Sequence, residues 1–475
     1  MDGLECSEIW WTEIKKRSSN YRLDSHYYEK KYVALNRKLL SREYWLLGDI
    51  VSKPIQTGHT PSMSNSSYYG GKIAFIKTDN LRTNHITTNF NDFLSDEGNR
   101  EIARTELQEK DIITTIIGAT EDVIARTALV LAEHLPANIN QNIVQIRVDE
   151  STALPEYVNL YLNTIYGRDY LRYLSRQTEQ VNLNCQEVAL VVIPKASMVF
   201  QRNIREHVIK AYELQQHAKQ EYKIAGELLK RIVNIDINCS SSITYKSLKN
   251  TLKASGRLDA EYYQEKYQAY EAAILSAKQG YTFVKNEFMP VKEKCTRNQE
   301  AYNYVEIGDV DIGTSSVSFN TICTEDLPDN AKIMTQKGDV LVSTVRPNRG
   351  AVAILESDDL LVSGAFTVLR EAGDYPKEVL QVLLRTSMYR DWLLRFNVGT
   401  SYPVIKDEDV LNMPLPLLED NVKQDVVNKV NESFSLRRQS KQLLEYAKQA
   451  VEMALEQGEE VALTWLKEKA SALEV

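Results

Sequence analysis

The chain has 475 residues, too many for one ordinary hydrophobic core when domains run to roughly 100–200 residues, so more than one domain is expected. With 43% apolar and 26% charged residues it reads as folded and globular, which excludes disordered and fibrous classes. A formal net charge of −8 argues against coating nucleic acid by bulk positive charge, and any DNA contact must come from local basic patches.

Five cysteines (Cys6, Cys185, Cys239, Cys295, Cys323) lie far apart, without a CxxC pair or a nearby histidine cluster. Neither a zinc site nor a disulfide framework is expected, and a reducing compartment fits. The N-terminal MDGLECSEIWW lacks a basic region followed by an apolar one, and apolar runs such as Val188–Pro194 fall far below the roughly 18 residues of a membrane span. A soluble, cytoplasmic protein is expected.

In chain order, residues 1–44 form an N-terminal segment containing RLDSHYYEKKY (22–32). Residues 45–195 carry strand-like runs at Lys72–Lys77, Asp111–Ile117, Val123–Leu131 and Ile143–Val148. Residues 196–279 begin with a long helical pattern, with Val208, Gln215, Tyr222 and Leu229 at one heptad position and Ile204, Ala211, Ala218, Ala225 and Ile232 at the other. They end with a second motif, RLDAEYYQEKY (257–267). Residues 280–415 repeat the strand-rich character at Tyr304–Ile307, Asp339–Val345, Ala351–Leu355 and Phe366–Leu369. Residues 416–475 form another long helix and a tail, with Val422, Val426, Ser433, Leu436, Leu443, Ala447, Ala450 and Ala454 on one seam, interrupted by Lys429 and Ser440.

The chain repeats itself. Arg22, Leu23, Asp24, Tyr27, Tyr28, Lys31 and Tyr32 recur with the same spacing as Arg257, Leu258, Asp259, Tyr262, Tyr263, Lys266 and Tyr267. Leu162, Thr164, Arg168, Asp169, Leu171 and Thr178 recur as Leu384, Thr386, Arg390, Asp391, Leu393 and Thr400. KDIITT (110–115) resembles GDVLVSTV (338–345), and Ile193-Pro194 corresponds to Met413-Pro414 before each long helix. The order of matches is the same in both halves, which predicts an α+β fold of two similar domains separated by two long antiparallel helices. The RLD–Tyr–Tyr segments are assigned to packing between the halves or to partner docking.

The usual catalytic constellations are missing. There is no phosphate-binding G-x-x-x-x-G-K-[ST], no G-x-G-x-x-G after a strand, no HExxH and no G-x-S-x-G. The Asn-Pro-Pro-aromatic tetrapeptide that an amino-methyltransferase needs is absent too. The histidines His26, His59, His85, His134, His207 and His217 are scattered and read as surface or packing residues. No catalytic residue, metal or cofactor is expected in this polypeptide.

Binding chemistry is concentrated in polar loops. Thr57, Gly58, Thr60, Ser62, Tyr68 and Lys72 share one loop that runs into Lys77, Thr78, Asn80 and Arg82. Hydroxyls, backbone amides and lysines position phosphates, while Asn and Arg make paired contacts to base edges. STVRPNRGAVA (343–353) places Arg346, Asn348 and Arg349 around Pro347, with no matching arginines in TTIIGATEDVIA (114–125) of the first half. Arg176 and Thr178 fill the place before the first long helix that Thr400, Ser401 and Tyr402 fill before the second. Solvated turns and helix caps are the bland explanations of all these segments.

TGHTPS (57–62) with YYGGKIAFIKTDNL (68–81), GDVLVSTVRPNRGAVAIL (338–355) and MPLPLLEDNVKQDVVNKV (413–430), set in the duplicated plan, resemble a type I restriction-modification specificity subunit over essentially the whole chain. IPKASMVFQRNIRE (193–206) departs from that family's proline-rich, glutamine-ended helix start. The resemblance implies two target recognition domains reading the halves of a split, asymmetric double-stranded DNA site, with helices whose length sets the gap. It also implies docking of two methyltransferase subunits, which bring S-adenosylmethionine, and of restriction subunits with ATP and Mg where present. The competing expectations are a structural adaptor without sequence preference and a self-sufficient nuclease.

Overall fold

Asp111 and Asp339 each close a turn and open a strand-like run, and in the computed structural model these runs are the strands Ile112–Thr115 and Val340–Ser343. The structure describes residues 9–17, 22–87, 90–118, 123–177, 181–233, 245, 247–399 and 401–473. It divides into two units, Met1–Leu214 with Arg438–Val475, and Gln215–Arg437.

In the first unit four antiparallel strands lie in the order Gln56–Thr57, Ile143–Ile146, Ile112–Thr115, Thr127–Leu129. In the second the order is Phe288–Pro290, Phe366–Glu371, Val340–Ser343, Val352–Ile354, again antiparallel throughout. Numbered along the chain, both sheets read first, fourth, second, third. Each unit adds a sheet built on a parallel pair, Tyr69–Ile76 with Ala137–Ile139 and Ala301–Val305 with Leu360–Ser363. A short antiparallel pair precedes each long helix, Tyr44–Leu46 with Val192–Pro194 and Tyr281–Phe283 with Pro414–Pro416. The repeat seen in the sequence is therefore a repeat of topology.

The recurring residues hold these elements together. Asp111 is 1% exposed and accepts from Arg147 Nε and Nη2 at 2.6 and 2.7 Å and from the Gln108 amide at 2.8 Å. Asp339, also 1% exposed, accepts from Arg370 Nε and Nη2 at 2.7 and 2.8 Å and from the Gln336 amide at 2.9 Å. The planar guanidinium fork matches the carboxylate and ties the turn to the neighbouring strand. Thr164 and Thr386 cap the helices Ile165–Leu174 and Ser387–Leu393, accepting from the amides of Gly167 and Tyr389.

The RLD–Tyr–Tyr segments pack within each unit. Arg22 is forked onto Asp24 at 2.8 and 2.9 Å and donates to the carbonyls of Leu174 and Ser175. Arg257 is forked onto Asp259 at 2.8 Å and donates to the carbonyls of Phe396 and Asn397. The Tyr28 and Tyr263 hydroxyls donate back to the carbonyls of Arg22 and Arg257. Each motif thus satisfies carbonyls left open at the C-terminal end of a helical segment later in its unit, Ile165–Leu174 in the first and Leu394–Phe396 in the second.

The two long helices are Met198–Val233, of 36 residues, and Asp420–Gln457, of 38. In the first unit Ile204 and Val208 share a core with Leu466, Ala447, Ala450 and Val451, and Ser440 Oγ donates to the Ala211 carbonyl at 2.6 Å. In the second, Ala225 and Leu229 join Val426, Val430 and Phe434, and Ser433 Oγ donates to the Ala218 carbonyl at 2.7 Å. Earlier residues of one helix meet later residues of the other, so each unit contains an antiparallel pair. The Ile232 side chain lies outside the described residues. Among the described residues no helix is long and apolar enough to cross a membrane.

Candidate nucleic-acid interface

In the second unit, the hairpin from Val340–Ser343 to Val352–Ile354 carries a turn that the sequence singles out. Arg346 has φ 53 and ψ 50, left-handed values that non-glycine residues seldom adopt and that recur at functional sites. Pro347 is buried and fixes the turn, leaving Arg346, Asn348 and Arg349 exposed. Gly350, at φ 78, closes it with its amide donating to the Pro347 carbonyl at 3.0 Å.

A second loop joins this turn. Val345 bridges Val404, the Arg346 amide donates to the Pro403 carbonyl at 2.7 Å, and the Arg346 guanidinium lies 5.4 Å from the Tyr402 ring centroid. Asn397 Oδ1 holds this loop by accepting from the amides of Gly399 and Val404 at 2.8 and 2.9 Å. Arg346, Asn348, Arg349, Ser401 and Tyr402 are thereby gathered on one exposed surface. Asn397 is not among the residues singled out from the sequence; its signal is a side chain two residues before a glycine, where Asx turns form. Thr400 lies outside the described residues.

The first unit builds the equivalent place differently. Val181–Asn182 pairs with Ile117–Gly118 on one side and Arg176–Gln177 on the other. Arg176 Nε donates to Glu187 Oε1 at 2.7 Å, and Glu187 also completes a capping box with Asn184. Arg176 therefore anchors the base of this hairpin through an ion pair. Thr178 lies outside the described residues.

The loop after Gln56 sorts into exposed and packed positions. Ser62 and Lys72 are exposed, Tyr68 is half-buried, and Thr60 is half-buried with its hydroxyl on Gln141 Oε1. Thr57 and Gly58 sit at the sheet edge, where a Cβ on Gly58 would lie 2.0 Å from the Ile139 carbonyl oxygen, so only glycine fits. Lys77 is paired with Asp92 at 2.9 Å and Thr78 has a buried hydroxyl. Asn80, expected to face DNA, is 5% exposed with Oδ1 accepting from the Lys77 amide, and it forms the turn rather than the surface. Arg82 donates to the Asp79 carbonyl at 2.9 Å and is half-buried.

His217, Glu221 and Glu432 bring ligand-type atoms within 4.8 Å of one another, the one such grouping among the described residues. Lys429 Nζ lies 2.5 Å from Glu221 Oε2 and 3.1 Å from Glu432 Oε2, so an ammonium already bridges these carboxylates. His26 and His134 are buried in packing roles, as the scattered placement suggests.

No protein-family model matches the chain. It is 22% identical over 239 residues to the EcoBI type I restriction enzyme specificity subunit of Escherichia coli, covering 50% of this chain and 48% of that one. It is 28% identical over 185 residues to the HindI specificity subunit of Haemophilus influenzae, covering 38% and 39%. The chain thus spans less than half the length of either curated relative. Among solved structures it is similar to the type I restriction-modification S subunit from M. genitalium, at 11% identity and a TM-score of 0.35 over 89% of this chain and 95% of that one.

Proposed function

We propose that this chain is the non-catalytic DNA-recognition subunit of a type I restriction-modification complex. Each unit reads one half of a split, asymmetric duplex site, and the antiparallel helices set the gap. Two methyltransferase subunits dock on the chain and supply S-adenosylmethionine and the adenine-modifying site; restriction subunits with ATP and Mg join where the host encodes them. The complex works in the cytoplasm.

One observation carries this reading. The two units share a strand order, yet the matching loops carry different chemistry: Arg346, Asn348 and Arg349 around Pro347 against a 114–125 stretch without those arginines, and Ser401 with Tyr402 against an Arg176–Glu187-anchored hairpin. A common scaffold with unlike tips suits two readers of unlike sequences, because bases are distinguished by side chains at the groove while the scaffold only positions them.

Genome-wide mapping of methyladenine with and without the gene tests the proposal. Loss of a single two-part motif is expected on deletion, and Arg346→Ala with Arg349→Ala should alter or abolish one half of it only. An unchanged methylation map would refute the recognition role and favour an adaptor.

A further inference from the structure

We infer that Leu23, Leu40 and Tyr44 in the first unit, and Leu258, Leu275 and Tyr281 in the second, are the apolar anchors of two like docking surfaces, each taking one copy of the same protein partner. The inference rests on the recognition reading, in which that partner is the methyltransferase subunit, and adds to it where each copy docks. Within the RLD–Tyr–Tyr motif, the arginine, the aspartate and the second tyrosine recur because they make the same bonds inside each unit. Leu23 and Leu258 recur without that reason, since they leave 69% and 62% of their surface in solvent. Two further pairs behave alike. Leu40 and Leu275 are the last residues of the matching helices Lys30–Leu40 and Glu265–Leu275, and Tyr44 and Tyr281 open the matching strands Tyr44–Leu46 and Tyr281–Phe283. All four are exposed.

A single exposed leucine signifies nothing, because much of any protein surface is apolar. The same apolar residue exposed at the same place in two copies of one unit is a different observation, since packing inside the unit does not require it. Charge, by contrast, does not recur. Lys30, Arg37 and Lys38 of the first helix stand where the second has Glu265, Ala272 and Ala273. DNA or an anionic membrane would call for the basic residues in both copies, so what the copies share fits a protein surface with apolar pockets. The area agrees with anchors in a wider contact. Each helix is about 16 Å long, and the Tyr28 hydroxyl holds Arg22, the neighbour of Leu23, near the start of the first one. Leu23, Leu40 and Tyr44 therefore fit within the roughly 800 Å² that each side of a stable complex buries. Three side chains do not fill such an area, but a few apolar anchors carry most of the binding in interfaces of that size. Two like surfaces on one chain then take two copies of one partner.

The test mixes the full chain with the purified methyltransferase subunit of the same host and counts bound copies by native mass spectrometry, with affinities from calorimetry. The unsubstituted chain should bind two copies. Leu23→Gln with Leu40→Gln should weaken one binding step by at least about tenfold and leave the other, and Leu258→Gln with Leu275→Gln should do the same for its own unit. All four together should weaken both steps. Leu40→Met and Leu275→Met, which keep the apolar volume, and Lys30→Ala, which removes a charge from the same helix, should each still bind two copies at the original affinity. Unchanged binding in the Gln variants, a Met variant as impaired as they are, or an equal loss in Lys30→Ala would each overturn the inference. Self-association of the chain alone that disappears in the Gln variants would assign the surface to a second copy of this chain and overturn it too. If the unsubstituted chain binds no methyltransferase subunit, the recognition reading fails and the inference with it. If it binds two copies and the Gln variants do so equally well, only the docking surface fails.

Discussion

Asp339→Ala is the sharpest test of how each unit is held together. The substitution removes a carboxylate that is 1% exposed, frees both arms of Arg370 and leaves the Gln336 amide without its acceptor. Breaking one partner of a buried charge pair costs about 3–5 kcal/mol. Arg370 keeps 28% of its side chain exposed and can turn partly to water, which places the expected loss near the lower end, about 3 kcal/mol. Asp111→Ala in the first unit should cost about 1 kcal/mol more, because Asp111 also accepts from Gln145 Nε2 at 2.5 Å, a bond with no counterpart at Asp339. Native-state hydrogen exchange of the amides in Val340–Ser343 and Ile112–Thr115 reads each loss in its own sheet. Combining Asp339→Ala with Arg370→Met should recover part of the loss, since no charge then remains unpaired. A loss below about 1 kcal/mol, or a double variant as unstable as the sum of the single ones, would refute the view that this pair locks the turn to the sheet.

The helix pairs and their one buried carboxylate allow two more predictions. Ser433→Leu should destabilise the second unit by about 1–3 kcal/mol in urea unfolding, because Ser433 is fully buried with its hydroxyl on the Ala218 carbonyl, and a larger side chain must displace neighbours and lose that bond. A stabilising Leu would show instead that the serine marks a gap. The Lys429 ammonium beside Glu221 holds that carboxyl below its ordinary range. A depressed folded value means stability present above the unfolded pKa and lost as pH falls through the folded one. Glu221→Gln should therefore flatten the acid dependence of unfolding below about pH 4.5, and an unaltered acid limb would contradict the pairing.

Much of the scaffold was legible because it depends on local pattern. The runs opened by Asp111 and Asp339 are strands, although the strands proper cover only Ile112–Thr115 and Val340–Ser343, since the aspartates belong to the turns. Of the heptad positions, Ile204, Val208, Ala211, Ala218, Ala225 and Leu229 are buried, while Gln215 and Tyr222 are half-buried. Leu360–Ser363 and Ala331–Met334 were not legible: such short runs lack a clear alternation, and their pairing, bulged between Ala331 and Ile333, is set by tertiary contact. At the candidate interface the Arg346 turn could be found because Pro347 and Gly350 punctuate it. Asn80 misled because sequence cannot tell an Asn that faces outward from one whose side chain caps its own turn.

The proposed recognition role places different demands on residues that match across the repeat and on residues that do not. The residues that make the repeat visible are Arg22 and Arg257, Asp111 and Asp339, and Thr164 and Thr386, and each is engaged in the same intramolecular bonds in its own unit. Identity survives where both copies must solve the same folding problem. A surface that distinguishes two half-sites has the opposite requirement, since two copies of one reader would recognise a symmetric site. On the proposed reading, base choice falls to positions that fail to match across the repeat, with Arg346 and Arg349 first among them. If the proposed recognition role holds, transplanting residues 344–351 into the corresponding stretch of the first unit should shift a split site towards two like halves, and retention of an asymmetric motif would show that base choice lies elsewhere.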